Sequence, residues 1–278
     1  MNIAQALAVR GEIESYQRQE NAWLLQHILG IANALELKIS ADIELSIEHE
    51  QQYLAALARI EAGEPLAYVT GSQPFWTLDL NVTADTLVPR PDTEVLVETV
   101  LLLALPENAR VVDLGTGTGA IALSLASERP SWQVVATDIY PPTLAVAQGN
   151  AVKHGLDQVQ FACGAWLDAF DSSSCAKFDL IVSNPPYIDA DDVHMSALAS
   201  EPERALVAAK QGLADIEQII QQGRDWLNPM GWMAIEHGYL QAADVQAIYL
   251  QAGFEQIRTV QDYGGNDRVT LAVKTTSS

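Results

Sequence analysis

The chemistry in this chain is concentrated at two strand ends. In Phe178-Asp179-Leu180-Ile181-Val182-Ser183-Asn184-Pro185-Pro186-Tyr187 the apolar run Leu180 to Val182 predicts a short buried strand. Pro185 and Pro186 have no N–H to donate and stop it. Asn184 is thereby pushed out at the carboxyl end of a strand, where open α/β sheets bind their ligands. Asn184 Oδ1 and the Pro185 carbonyl can accept the two hydrogens of a planar NH2 group while the Tyr187 ring packs on its face. The same residues also read as an Asn-Pro turn with no chemistry.

The second strand end is Asp113-Leu114-Gly115-Thr116-Gly117-Thr118-Gly119-Ala120, a strand–turn–helix junction. Glycines there let the backbone turn sharply and approach a ligand, with helix N–H groups facing it. A purely structural turn is the alternative, and the spacing also satisfies the dinucleotide fingerprint G-x-G-x-x-A. Asp138 ends the next predicted strand and can accept both ribose hydroxyls of a nucleoside; it can equally cap the helix that begins at Pro141-Pro142. Trp166 follows the third strand, placed to border a base or to fill core.

These residues need a scaffold. The chain has 278 residues, 49% of them hydrophobic, enough for one large domain with a smaller one beside it. No apolar run approaches the ~18 residues of a membrane span, and the N-terminus has no basic segment leading into an apolar one, so no signal peptide and no membrane partner are expected. Cys163 and Cys175, the only cysteines, are expected to stay reduced in a cytoplasm. They have no company suited to a zinc site, so no metal is assigned. The net charge of −21, from 36 acidic and 15 basic residues, opposes direct binding to a phosphate backbone.

Residues 1–63 read as a small helical bundle, with Leu7, Trp23-Leu24-Leu25, Ile28-Leu29 and Leu35 at helical spacings and breaks near Gly11 and Gly30. Ser46 opens a helix whose stripe is Tyr53, Leu54, Leu57, Ala58 and Ile60. Residues 64–91, punctuated by Pro and Gly, predict a β-hairpin linker made of the runs Phe75–Val82 and Thr86–Val88. Residues 92–278 form the third segment. Pro91-Asp92-Thr93-Glu94 starts a helix through Leu103. From Arg110 strands alternate with helices, which predicts an α/β fold with a mainly parallel sheet covered on both faces. Its seven strands are Val111–Leu114, Gln133–Asp138, Val159–Cys163, Phe178–Ser183, Gly231–Glu236, Glu255–Val260 and Arg268–Lys274, the last two an antiparallel pair. Helices are expected near Ala120–Glu128, Pro142–His154, Leu213–Leu227 and Leu240–Ala252.

In this order the pieces resemble the S-adenosylmethionine-dependent class I methyltransferases, whose Rossmann-like sheet has seven strands. The Gly115–Gly119 loop and Asn184–Tyr187 are shared with the branch that methylates amino groups, including adenine-N6 DNA methyltransferases. Glu64-Pro65-Leu66-Ala67-Tyr68-Val69-Thr70-Gly71, Phe75-Trp76, Thr86-Leu87-Val88-Pro89-Arg90-Pro91-Asp92-Thr93-Glu94 and Glu236-His237-Gly238 extend the resemblance to the HemK/PrmC family. That family methylates the glutamine N5 of the Gly-Gly-Gln motif in class I peptide chain release factors.

The resemblance implies that Gly115, Thr116, Gly117, Thr118, Gly119 and Asp138 hold S-adenosylmethionine and that Trp166 borders its adenine. It implies further that Asn184 touches both cofactor and substrate. Asn184, Pro185, Pro186 and Tyr187 would cradle the glutamine amide, and the N-terminal bundle would help recognise the release factor. A nucleic-acid amino-group methyltransferase and an NAD(P)-dependent oxidoreductase are the competing readings; the second leaves Asn184–Tyr187 without a task. His194 and His237 are read as satisfied polar residues rather than bases.

Overall fold

The structure is a computed structural model, and it describes residues 1–171, 176–189 and 200–275. Cys175 and His194 lie outside the described residues. The chain divides into two compact units, Met1–Gly71 and Ser72–Ser278.

The first unit contains α1 (Ile3–Ala8), α2 (Tyr16–Leu29), α3 (Ala34–Ile39), α4 (Ile47–Glu61) and α5 (Leu66–Thr70). Side chains of Asn2, Ser15, Asn33 and Ser46 each cap a helix by accepting a backbone N–H. Gly30, at φ +65°, ends α2 in the left-handed region. The core joins Ile3, Leu24, Leu25, Leu37, Tyr53, Leu57 and Ile60. Buried Asn21 ties it together, receiving the Tyr53 hydroxyl at 2.9 Å and donating to the Ala6 carbonyl at 3.0 Å. Trp23 and Leu54, which the apolar pattern assigns to the core, are exposed. Each is one residue out of phase with the buried positions beside it, a distinction that composition in a short window does not make.

In the second unit a two-stranded antiparallel hairpin comes first, β1 (Ser72–Phe75) and β2 (Leu78–Asn81). The expected run Phe75–Val82 therefore contains the turn, at Trp76-Thr77, and Thr86–Val88 is not a strand. Trp76, at φ +55°, makes that turn, and its N–H and indole N–H are taken by Glu94 and Glu128, each at 2.8 Å. Next come α6 (Glu94–Leu101), β3 (Arg110–Leu114), α7 (Ala120–Glu128), β4 (Gln133–Asp138), α8 (Pro141–Lys153), β5 (Gln160–Cys163) and β6 (Phe178–Ser183). The unit ends with α9 (Ala209–Gly212), α10 (Ala214–Trp226), β7 (Leu227–Glu236), α11 (Ala242–Gln251), β8 (Glu255–Gln261) and β9 (Asp267–Val273).

Seven strands form one sheet in the order β5-β4-β3-β6-β7-β9-β8. Pairs from β5 to β7 are parallel, and β9 runs antiparallel to both β7 and β8. Central strands are buried on both faces, as helix-covered parallel sheets require. Val111, Leu180 and Val182 pack toward α6 and α7, while Val112, Leu114 and Ile181 pack toward α10 and α11. This is the class I methyltransferase fold. No helix among the described residues is long and apolar enough to cross a membrane.

Candidate active site

Strand register alone assembles the site. Leu114 pairs with Thr137 on one side and with Ser183 on the other, and Ser183 pairs with Ile235. One residue further along each strand stand Gly115, Asp138, Asn184 and Glu236, in a row across the carboxyl edge of the sheet. The Ser183 hydroxyl donates to the Leu114 carbonyl at 2.7 Å and locks the two central strand ends together.

A cavity of about 280 Å³ opens above this edge. Gly115, Thr116, Gly117, Thr118, Asp138, Trp166, Asn184 and Pro186 line it, together with Arg90, Thr93, Tyr140, Arg204 and Asp215. Gly119, Pro185 and Tyr187 are not in the lining. Gly119 instead starts α7 at φ +85°, where an added Cβ would meet Leu123 Cδ1 at 2.9 Å. At Gly117, φ +58°, a Cβ would meet nothing among the described residues within 4 Å. The space that a side chain would fill there is open to a ligand.

Asp138 is buried, and its Oδ2 accepts from Gly117 N at 3.1 Å while Oδ1 accepts from Tyr140 N at 3.0 Å. It does not cap α8: the N-cap position is Tyr140, and that residue makes no side-chain cap bond. Burial raises its pKa, with the bonds from Tyr140 and Gly117 opposing. A carboxylate has about four acceptor positions; the backbone N–H groups of Tyr140, Gly117 and Ile139 draw on part of that capacity, and the remainder is left for a ribose hydroxyl. Trp166 begins a 3-10 turn at φ +48° and lays its indole against Gly115, 3.0 Å from where a Cβ would stand. Cavity, open glycine loop and free acceptor positions fit a nucleoside cofactor.

Asp113 supports this loop from behind and was not legible as more than a motif letter. It is fully buried; Oδ2 accepts from the Thr116 hydroxyl at 2.6 Å and from Ala122 N at 3.2 Å. Burial pushes its pKa up to about 7. Buried Asn150 does similar work, donating to Thr118 O at 2.9 Å and Asn81 O at 3.0 Å and so joining the glycine loop to the hairpin.

At the second strand end Asn184 Nδ2 donates to Thr93 Oγ1 at 3.1 Å. Thr93 lies in the Pro-Asp-Thr-Glu stretch, 91 residues earlier in the chain. The Tyr187 hydroxyl donates to Glu236 Oε1 at 3.3 Å, and the Tyr187 carbonyl accepts from Gln241 Nε2 at 3.1 Å. Glu201 pairs with Arg90 and accepts from Val88 N at 3.1 Å, fixing one wall of the cavity. The Arg204 guanidinium lies 4.5 Å from the Tyr140 ring centre. His237 is buried against Thr270 Oγ1, at 2.7 Å, and burial lowers its pKa, which suits a neutral structural imidazole.

The Methyltransferase small domain family matches residues 91–215, and the PrmC N-terminal domain family matches residues 2–71. A release factor glutamine methyltransferase of Shewanella oneidensis is 44% identical over 229 residues, covering 82% of this chain and 79% of the relative. One of Escherichia coli is 42% identical over 256 residues, covering 91% of each. Among solved structures, a methyltransferase from Pyrococcus furiosus is similar with a TM-score of 0.55 at 17% identity, covering 82% of this chain and 98% of that one.

Proposed function

The chain belongs to the release factor glutamine methyltransferase family, and from that premise we propose that it methylates the side-chain nitrogen of the glutamine in the Gly-Gly-Gln motif of class I peptide chain release factors, using S-adenosylmethionine. Membership sets aside the NAD(P)-dependent oxidoreductase reading of the glycine loop. The observation that carries the proposal is Asn184: one of its Nδ2 hydrogens goes to Thr93 Oγ1, and its Oδ1, which no donor among the described residues takes, is left as an acceptor on a residue that lines the cavity.

Gly115 to Thr118 and Asp138 would hold the cofactor, with Gly119 turning the chain into α7 behind them and Trp166 beside the adenine. Bound there, S-adenosylmethionine supplies an electrophilic methyl group on a sulfonium that departs as a neutral thioether. An amide nitrogen is a poor nucleophile because its lone pair is delocalised into the carbonyl. Acceptance of one hydrogen by Asn184 Oδ1 at the cavity, and of the other by the carbonyl of Pro185, which itself stands outside the cavity lining, would fix its direction of approach. The same acceptors stabilise the positive charge that develops on the nitrogen during attack. The helical Met1–Gly71 unit is proposed to contribute contacts to the release factor, remote binding of the kind that positions a substrate.

Incubation with tritiated S-adenosylmethionine and, separately, release factor, DNA and RNA tests the reading. Label is expected in the release factor; label in nucleic acid alone would replace the proposed substrate.

A further inference from the structure

Glu236 is the buried group that methyl transfer, as described, leaves without a task. It ends β7 and is 1% exposed, with Oε1 accepting from the Tyr187 hydroxyl and Oε2 meeting no donor at full hydrogen-bond geometry among the described residues. A buried acceptor without a partner calls for an explanation. Thr93 supplies one. It is itself buried, and its Oγ1 accepts from Asn184. A hydroxyl that accepts still has one proton to give, and the Thr93 side chain lies beside the Glu236 carboxylate and favours its charged form.

Resting on the glutamine reading above, we propose that Glu236 is a positioning residue for methyl transfer: its carboxylate accepts a hydrogen bond from the Thr93 hydroxyl, so Thr93 accepts from Asn184 Nδ2 and Asn184 Oδ1 is left facing the substrate amide. The direction of this relay matters because an amide side chain fits its site either way round. An ionised carboxylate only accepts, and it forces one direction on both members behind it. Were Glu236 neutral, its own O–H could donate to Thr93 Oγ1, Thr93 could donate to Asn184 Oδ1, and the Asn184 NH2 would then meet the substrate NH2, donor against donor. Through Tyr187, the same carboxylate holds the residue that ends the Asn184 loop.

Charge around Glu236 comes from several elements. Arg268 on β9 and Tyr187 favour its ionised form, Asp92 in the turn before α6 opposes it, and burial is the largest influence, pushing it up to about 7. Arg268 is shared with Asp262 at 2.9 Å and with Asp92 at 3.5 Å, and neutral His237 adjoins. Asp113, also near 7, stands behind the glycine loop, so a wild-type pH profile alone would not identify the group.

The test compares the full-length protein with E236Q, T93V and T93S on intact release factor. E236Q and T93V are expected to lower kcat by ~10²-fold, the usual loss for one positioned group, with KM for S-adenosylmethionine changed by less than about twofold. T93S is expected to keep most of the activity. Wild-type kcat should fall below about pH 7, and E236Q should lose that limb. A second readout needs no turnover: the Asn184 side-chain NH2 resonances, assigned with N184A, should shift as wild type is titrated through pH 7 and stay fixed in E236Q. Wild-type kcat in E236Q or T93V would overturn the proposal, as would Asn184 resonances indifferent to both pH and E236Q. A wild type that labels no release factor would instead sink the glutamine reading, and the resonances would still decide this one.

Discussion

The two loops that meet at the carboxyl edge of the sheet are built on opposite plans. The Gly115–Gly119 loop works through backbone: its glycines sit at positive φ, and its supports, Asp113 and Asp138, come from the ends of its own strand and the next. The Asn184–Tyr187 loop works through side chains, and what orients them arrives from far away in sequence, Thr93 from before α6, Glu236 from β7 and Gln241 from the start of α11. In a backbone cradle the loss of one supporting side chain removes that side chain's own contacts. In a side-chain relay it also disturbs the rest, because each member sets the direction of the next.

Substitutions can break that contrast, and the largest effect belongs to the relay. Asn184→Ala should reduce methyl transfer by ~10²–10³ while far-ultraviolet circular dichroism stays that of wild type; near-normal turnover would remove Asn184 from the chemistry. In the cradle, Asp138→Ala should weaken S-adenosylhomocysteine by about 10- to 100-fold in calorimetric titration, the worth of one charge-assisted bond. An unchanged Kd would leave Asp138 as a support for Gly117 and Tyr140 only.

Gly212→Ala probes how tightly the relay is packed. Gly212 sits at φ +79°, and a Cβ there would lie 2.0 Å from the Tyr187 carbonyl oxygen. Left-handed strain alone costs about 1–3 kcal/mol. At about 2–4 °C per kcal/mol for a unit of this size that strain lowers Tm by roughly 2–12 °C; the clash adds to it, and turnover should fall with it.

The smallest effect separates the two buried carboxyls. Burial raises Asp113 from an ordinary 3.8 to about 7, so the folded state holds that proton more tightly than the unfolded chain does. The stability this confers is full below about pH 4 and is lost as pH rises through 7. Asp113→Asn cannot titrate. Its stability relative to wild type, from urea unfolding, should therefore improve by at least ~1 kcal/mol between pH 5 and pH 8. Glu236 is present in both proteins and cancels.

Much of the sheet could be read from the sequence because a buried parallel strand is a short apolar run that ends at Gly or Pro. Arg110–Leu114 and Phe178–Ser183 have that form, and the motifs stand at their ends. The antiparallel β8–β9 pair was legible too, through the Gly264-Gly265 turn. The first hairpin departs from the pattern in the sequence because its turn is made by Trp76 at positive φ rather than by Gly or Asn. Glu236 could be seen only as a letter in Glu-His-Gly, since its role depends on the register of β6 against β7, which brings Ile235 beside Ser183. Asn150, Gln241 and Gly212 belong to the same class: their partners are long-range, and no local pattern marks them.

The central claim is that the Asn184 loop presents acceptors to a glutamine amide. Tandem mass spectrometry of release factor after incubation with S-adenosylmethionine tests it most directly. The account predicts one methyl group on the side-chain nitrogen of the Gly-Gly-Gln glutamine, absent when that glutamine is replaced by glutamate. Methylation at another residue, or undiminished methylation of the glutamate variant, would contradict it.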